Sequence, residues 1–518
     1  MIFRGTKQTA ILSSLSQRSA FLCAVFCLAM LATACGSKSV SSGGTTGTNP
    51  APPSSAAFPL KVSSNGRYLI DQNNVPFLML GDSPQSMIVN LRTTDMATYM
   101  ANRQARGFNT IIVDVLVTTY TARNASGTTF DGIAPFTIGT SPSDYDLSTP
   151  NSAYFARLDA LVSMAASHGL LVALDPIETG GWLPTLENNG TTKSFNYGAF
   201  LGSRYKNSPN VIWQSGNDFQ DWSTNSTDNN LVHQVMAGIA STAPTQLQTI
   251  ELDFFESYSN QDHTTLGSTL TLDAAYTYFE TYDEVLAAYN STPTLPVFLV
   301  EANYEFENDL SAFPGVTDTF ILREQEYWTM TSGASGQFYG SLYTWKFAAG
   351  WQNHLDSPGA LELSYLTRLF NSIPWWNLVP DQTHQVVTIG YGTYNAGNDD
   401  LPLANYATTA WVPDGSVAIG LRRRGQRPHG QSGGVQQTSH GRMVRPKQRQ
   451  LQRHLWLPVH ELRDATVHAA RSKPRGRIGL GIGLGSKPSH PLNDFRRFQR
   501  RSNNNHLRDA TRLILSEG

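Results

Sequence analysis

Two carboxylates end apolar runs in this 518-residue chain: Asp218 closes NVIWQSGND and Glu301 follows LPVFLV. A carboxylate at the end of a buried run has lost water and must find a partner or a task. Facing each other across a cleft, two such groups can cleave a glycosidic bond. One protonates the leaving oxygen while the other attacks or stabilises the anomeric carbon. Asn217, next to the first, can bond a sugar hydroxyl. Taken singly, Asp218 also reads as a turn or helix-cap residue, so the case rests on the pair.

Other residues of useful chemistry hold similar positions. Asp82 ends FLMLGD, Asp114 lies in NTIIVDVLV and Asp175 in LLVALDPI. They are candidates for substrate binding, or ordinary hydrogen-bonding groups at element ends. Tyr278, Tyr304 and Trp345 are the candidate sugar-binding aromatics, with Trp182, Trp222 and Tyr339 in comparable places, whereas Trp213 inside its run reads as core. His263 is a sugar contact or a loop residue. The chain has no HExxH, P-loop or histidine cluster, so no metal and no cofactor is expected.

The elements that must position these groups follow from periodicity. Eight β-rich runs, at 77–82, 109–117, 170–177, 210–218, 249–255, 273–279, 295–305 and 336–345, alternate with amphipathic segments. In SAYFARLDALVSMAASHGL, Phe155, Leu158, Leu161, Val162 and Ala165 recur at helical spacing, and Gly169 is a stop. The pattern predicts an α/β fold, a (β/α)8 TIM barrel over 58–375. The alternative, a doubly wound open sheet, lacks a GxGxxG after its first strand. In a barrel the site is built at the C-terminal strand ends, and strands four and seven lie across its mouth. From 376 to 420, short runs with Asp-Gly and Asn-Gly-like turns predict the start of a small C-terminal β-sandwich, one that would be cut short near 420 if the reading frame shifts there.

The two ends differ from this body. Arg4, Lys7 and Arg18 precede an apolar stretch from Ala20 to Ala34, which reads as an export signal over 1–35 and is short for a membrane span. LATAC resembles a lipobox, which makes Cys35 the lipid attachment site and the cell envelope the destination; a plain secretory signal is the alternative. Cys23, Cys27 and Cys35 are the only cysteines, so no disulfide is expected in the body. Residues 36–57, rich in Ser, Gly, Thr and Pro, read as a tether.

Residues 421–518 hold 21 of the 38 Lys and Arg and 5 of the 40 Asp and Glu, a net of +16 that leaves −18 for the first 420 residues. Arg475 to Ser486 can be written in codons that, read one base later, give turn-punctuated β sequence. The tail is therefore read as a frameshift product and as disordered, against a basic arm for nucleic acid.

The ordered segments FPLKVSSNGRYLIDQNNVPFLMLGD, VIWQSGNDF, VFLVEANYE and PWWNLVPDQ resemble the bacterial apiosidase-like glycoside hydrolase family. The resemblance covers about 58–420. It implies a TIM-barrel catalytic domain followed by a collagen-binding-like β-sandwich, with Asp218 as acid/base, Glu301 as the second catalytic group and Asp82 as a substrate contact. GDSPQSM lacks the Trp that often follows the family's GD. The expected partners are a carbohydrate, pectic in the best-known activity, and a membrane through the lipid anchor alone. No nucleic acid partner is expected, and a monomer is expected. The rival reading is a glycan-binding surface lipoprotein without catalysis.

Overall fold

A computed structural model describes residues 56–118, 125–254, 256–308, 317–394, 401, 404–422 and 453–458. The predicted export signal, Cys35 and nearly all of the basic tail lie outside them. Eight parallel strands form the barrel: β1 Met79–Asp82, β2 Thr110–Asp114, β3 Leu171–Asp175, β4 Val211–Ser215, β5 Gln248–Ile250, β6 Asp273–Thr277, β7 Val297–Glu301 and β8 Gly336–Tyr339. Ladders run from β5 back through β4, β3, β2 and β1, then to β8, β7 and β6. Glu256–Tyr258 adds an antiparallel ninth strand beside β6.

The junction between β5 and β6 is bridged by short bonds rather than a regular ladder. Thr271 N–H donates to the Gln248 carbonyl at 2.9 Å, and Thr249 Oγ1 to the Leu272 carbonyl at 3.1 Å. The curled sheet closes through these contacts as the predicted (β/α)8 barrel.

Seven long helices cover the sheet among the described residues: α1 Thr93–Ala105, α2 Ser152–Ser167, α3 Thr179–Tyr205, α4 Ser226–Thr242, α5 Thr281–Asn290, α6 Asp318–Thr331 and α7 Pro358–Asn371. After β5 the helix is replaced by short turns across Ser259–Thr269. α2 ends as predicted, with His168 at its cap and Gly169 at φ +69°.

Strand alternation separates two cores. Met79, Ile112, Ala173, Ile212, Ala274, Phe298 and Phe338 fill the interior, joined by Leu60 and by Leu69 and Phe77 of a small antiparallel N-terminal sheet, Lys61–Val62, Leu69–Ile70 and Pro76–Phe77. Ile111, Val113, Val172, Leu174, Val211 and Trp213 pack outward with the helices.

Past the barrel, Val379–Pro380, Thr409–Trp411, Val417–Arg422 and Arg453–Pro458 form one four-stranded sheet. The predicted Asp414-Gly415 turn is there, with Gly415 at φ +77°. Val412, Val417, Ile419 and Leu421 share a core with Ile321 and Trp328 of α6 and with Leu363 and Leu366 of α7. Among the described residues this is a single sheet laid on barrel helices, with no second sheet facing it. Of the tail, Arg453–Pro458 is described as a strand parallel to Val417–Arg422.

Candidate active site

β4 leaves its regular path at Gly216, Asn217 and Asp218, which have φ of +109°, +43° and +56°. Three left-handed residues in succession form a strained turn, and Gly, Asn and Asp tolerate that region best. Gly216 is required sterically as well, because a Cβ there would lie 2.2 Å from the Glu251 carbonyl oxygen. The turn is tied down by Thr179, whose N–H donates to the Gly216 carbonyl at 3.1 Å and whose hydroxyl donates to the Asn217 carbonyl at 3.0 Å. Asp218 N–H donates to Glu251 Oε1 at 3.3 Å.

Glu301 is aimed by a different irregularity. Val297 and Leu299 face outward toward Val285 and Ala288 of α5, while Phe298 and Val300 face inward. Strict alternation would send Glu301 outward. Instead the pairing with β6 shifts: Ala275 lies opposite Leu299, and Tyr276 opposite Glu301, with Val300 skipped. Such a bulge re-aims a side chain at low cost, and here it turns Glu301 to the mouth.

The two carboxylates meet through a tyrosine that sequence reasoning missed. Tyr276 Oη lies 2.6 Å from Asp218 Oδ1 and 2.9 Å from Glu301 Oε1. Those oxygens are therefore at most about 5.5 Å apart, the length of the two bonds laid end to end. Tyr278 donates to Glu301 Oε1 at 2.6 Å and Tyr304 to Oε2 at 2.6 Å. Both predicted tyrosines thus reach the site as hydrogen-bond donors to a carboxylate. Burial, and then the charge of Asp218, push the Glu301 carboxyl up to about 8, while the three tyrosine hydroxyls pull it back.

Beneath the pair lies a layer of buried acids. Asp114 is fully buried with neither carboxylate oxygen bonded, and Asp175 accepts from Ile177 N–H at 3.0 Å through one oxygen only. Burial, then the neighbouring carboxylates, push both well up. Glu178 and Glu251 complete the layer; Glu178 accepts from Thr118 N–H at 2.9 Å and Glu251 from Gln214 Nε2 at 2.6 Å. Glu251 is also pushed well up, by burial first and then by Glu301 and Asp218. Neither Glu178 nor Glu251 was a sequence candidate, although both follow apolar runs and could have been chosen by the rule that picked Asp218.

Other candidates sit apart. Asp82 departs from the expected substrate contact: it is fully buried, ion-paired to Arg103 at 2.5 Å and bonded to Tyr99. A carboxylate that compensates a buried guanidinium has a structural task. Trp345 does not close β8, which stops at Tyr339; it ends the helical turn Leu342–Trp345 and donates through Nε1 to Glu307 at 2.6 Å. Asn217 has a buried side chain whose Oδ1 meets no donor. Trp182 is core, stacked on Tyr145 at 5.5 Å. Tyr339 is buried against Glu305.

Solved structures share this barrel. A glycoside hydrolase family 5 protein from Bacteroides vulgatus aligns with a TM-score of 0.56 at 21% identity, over 68% of this chain and 78% of that one. A second solved glycoside hydrolase aligns with a TM-score of 0.55 at 20% identity, over 69% and 83%. At these identities the likeness defines the fold, which is that of a (β/α)8 glycoside hydrolase. Residues 63–377 match the apiosidase-like catalytic domain, and the chain belongs to that family. No curated protein matches it.

Proposed function

We propose that the protein is a glycosidase in which Asp218 is the general acid/base and Glu301 the nucleophile. The observation that carries this reading is the Tyr276 bridge, which limits the separation of the two carboxylate oxygens to about 5.5 Å. Retaining glycosidases hold their carboxyls about 5–5.5 Å apart, and inverting ones leave about 6.5–9.5 Å for a water. The reaction is then a double displacement. Glu301 attacks the anomeric carbon as Asp218 gives its proton to the leaving oxygen; water, deprotonated by Asp218, releases the sugar from Glu301.

Family membership supports an apiosidase-like specificity toward plant, pectic material. Asn217, Asp114, Asp175 and Trp345 are the proposed further substrate-binding residues, reached when the mouth adjusts around a sugar. Export through the N-terminal signal and anchoring at Cys35 complete the proposal, with a monomer acting at the cell envelope and the C-terminal sheet as the start of a collagen-binding-like sandwich.

The test is sugar release from pectic polysaccharides and a panel of aryl glycosides, by the protein and its Glu301→Gln variant. Release with a loss of several orders of magnitude in the variant is expected, and NMR of the first-formed anomer should show retention. Glycan binding equal in both proteins, with no release by either, would instead make it a binding protein.

A further inference from the structure

The N-terminal pole of the barrel, away from the catalytic mouth, carries a cavity of about 300 Å³. Three pieces of chain meet there: the N-terminal hairpin turn that holds Arg67 and Tyr68, the link through Trp376 that leaves the barrel, and the turn of the C-terminal sheet that holds Asp414. Residues 333–335 also line it, and because they directly precede β8 they lie at the strand's N-terminal end. The volume stands at the lower end of the range of about 300–1,000 Å³ for small-ligand sites.

The lining combines flat rings with a guanidinium held in one place. Arg67 lies 3.8 Å over the Tyr289 ring and donates through Nη1 to the Tyr289 carbonyl. Gly333, at φ +102°, leaves room for that ring, since a Cβ there would stand 2.4 Å from Tyr289 Cδ2. Tyr68 meets Trp375 edge to face at 6.0 Å, and Trp375 meets Trp376 in the same way at 6.1 Å. Trp375 is buried, whereas Tyr68 and Trp376 are half-buried and keep surface for a ligand.

The half-buried Arg67 forms no ion pair among the described residues, and with Nη1 engaged its Nε and Nη2 have no acceptor there. Those two N–H groups form the side-on fork that matches both oxygens of a carboxylate. We propose that the cavity is a second carbohydrate-binding site, which takes a uronate residue of an acidic polysaccharide. Arg67 holds the carboxylate, and Trp376 packs on the C–H face of the sugar ring. Asp414 shares the lining, but it is exposed, where solvent screens its charge, and its Oδ1 accepts from Ser416 N–H at 2.7 Å. The site is independent of what the mouth cleaves. A polymer held at this pole stays near the mouth and raises its local concentration without adding a contact to the reaction.

The experiment is calorimetric titration of the full chain with trigalacturonate, with the neutral trisaccharide of galactose and with inorganic phosphate. Wild type is compared with Arg67→Gln, Trp376→Ala and Glu301→Gln. Wild type should bind trigalacturonate at least about 10-fold more tightly than the neutral trisaccharide, the size expected of a hydrogen bond to a charged group. Arg67→Gln should remove that difference, and Trp376→Ala should weaken both sugars. Glu301→Gln should bind as wild type does, because the mouth is not involved.

Trigalacturonate binding lost in Glu301→Gln and kept in Arg67→Gln would seat the uronate in the mouth and overturn the second site, as would the absence of binding to wild type. Phosphate that binds as tightly as trigalacturonate and displaces it would overturn the carbohydrate assignment. Should Arg67→Gln lower the unfolding midpoint, Arg67→Lys takes its place: it keeps the charge and loses the fork, so binding should still fall by about 10-fold, and unchanged binding overturns the proposal. If no glycoside is turned over, the glycosidase reading fails while these titrations still decide the second site.

Discussion

Gly216→Ala probes the strained turn that aims Asp218. The glycine has φ of +109°, outside the region open to alanine, and the new Cβ would stand 2.2 Å from the Glu251 carbonyl oxygen. Backbone strain of this kind costs about 1–3 kcal/mol. Relieving the clash requires the two chains to part by about 1 Å, and forcing atoms into a packed site costs a further ~1–3 kcal/mol. A total near 3 kcal/mol is expected. Because Asp218 is two residues away, the same 1 Å displacement should lower kcat by about 100-fold. Gly132→Ala is the control, since Gly132 has φ of +84° with nothing within 4 Å of its Cβ position; only the strain applies there. Urea unfolding and aryl-glycoside turnover are measured for both. Equal stability and equal turnover in the two variants would refute the claim that this turn holds Asp218 in place.

Three further outcomes follow from the buried charges. Glu301 is pushed up to about 8, so the folded protein keeps a proton that the unfolded chain releases near ~4.3; stability is fully present below that value and is lost as pH rises through 8, by up to about 1.4 kcal/mol per unit, and Glu301→Gln should flatten the dependence in urea melts. Asp114, raised by burial and then by Glu178, Glu301 and Asp218, has the same sign, so Asp114→Asn should raise the unfolding midpoint at pH 8 but not at pH 4; an increase in KM with unchanged stability would show a substrate contact instead. Asp82→Asn leaves Arg103 buried without its counter-charge and should cost about 3–5 kcal/mol in urea unfolding with KM unchanged.

Much of the barrel was legible because its strands are continuous apolar runs and its helices carry a 3.6-residue period. The predicted runs at 109–117, 170–177 and 295–305 contain β2, β3 and β7, each overextended where apolar residues continue past the last ladder bond. β5 was reduced to three residues because the chain turns at Glu251 to carry the acid layer. α3 was missed for a physical reason. Its sequence contains Pro184 and several glycines, which argue against a helix, and Gly190, at φ +70°, does break α3 into two helices across a kink. Yet Gly198 is what lets α3 approach α4, since a Cβ there would lie 2.0 Å from the Val235 carbonyl oxygen.

The site was legible as chemistry and not as geometry. Residue type placed Asp218 and Glu301 at strand ends, but alternation along VFLVE sends Glu301 to the helix layer with Val297 and Leu299. Only a skipped residue in the β6–β7 pairing brings it inward, and a five-residue pattern carries no sign of that skip. Asp218 likewise depends on three left-handed residues in succession. Local rules fail here because the backbone departs from regularity, and departures that cost free energy persist where the surrounding structure holds them for a task. Tyr276 links the two: the shift that turns Glu301 inward also sets Tyr276 opposite it, with its hydroxyl in reach of both Glu301 and Asp218. The bridge is thus a consequence of the bulge, and a search for catalytic residue types alone would pass over the tyrosine that joins them.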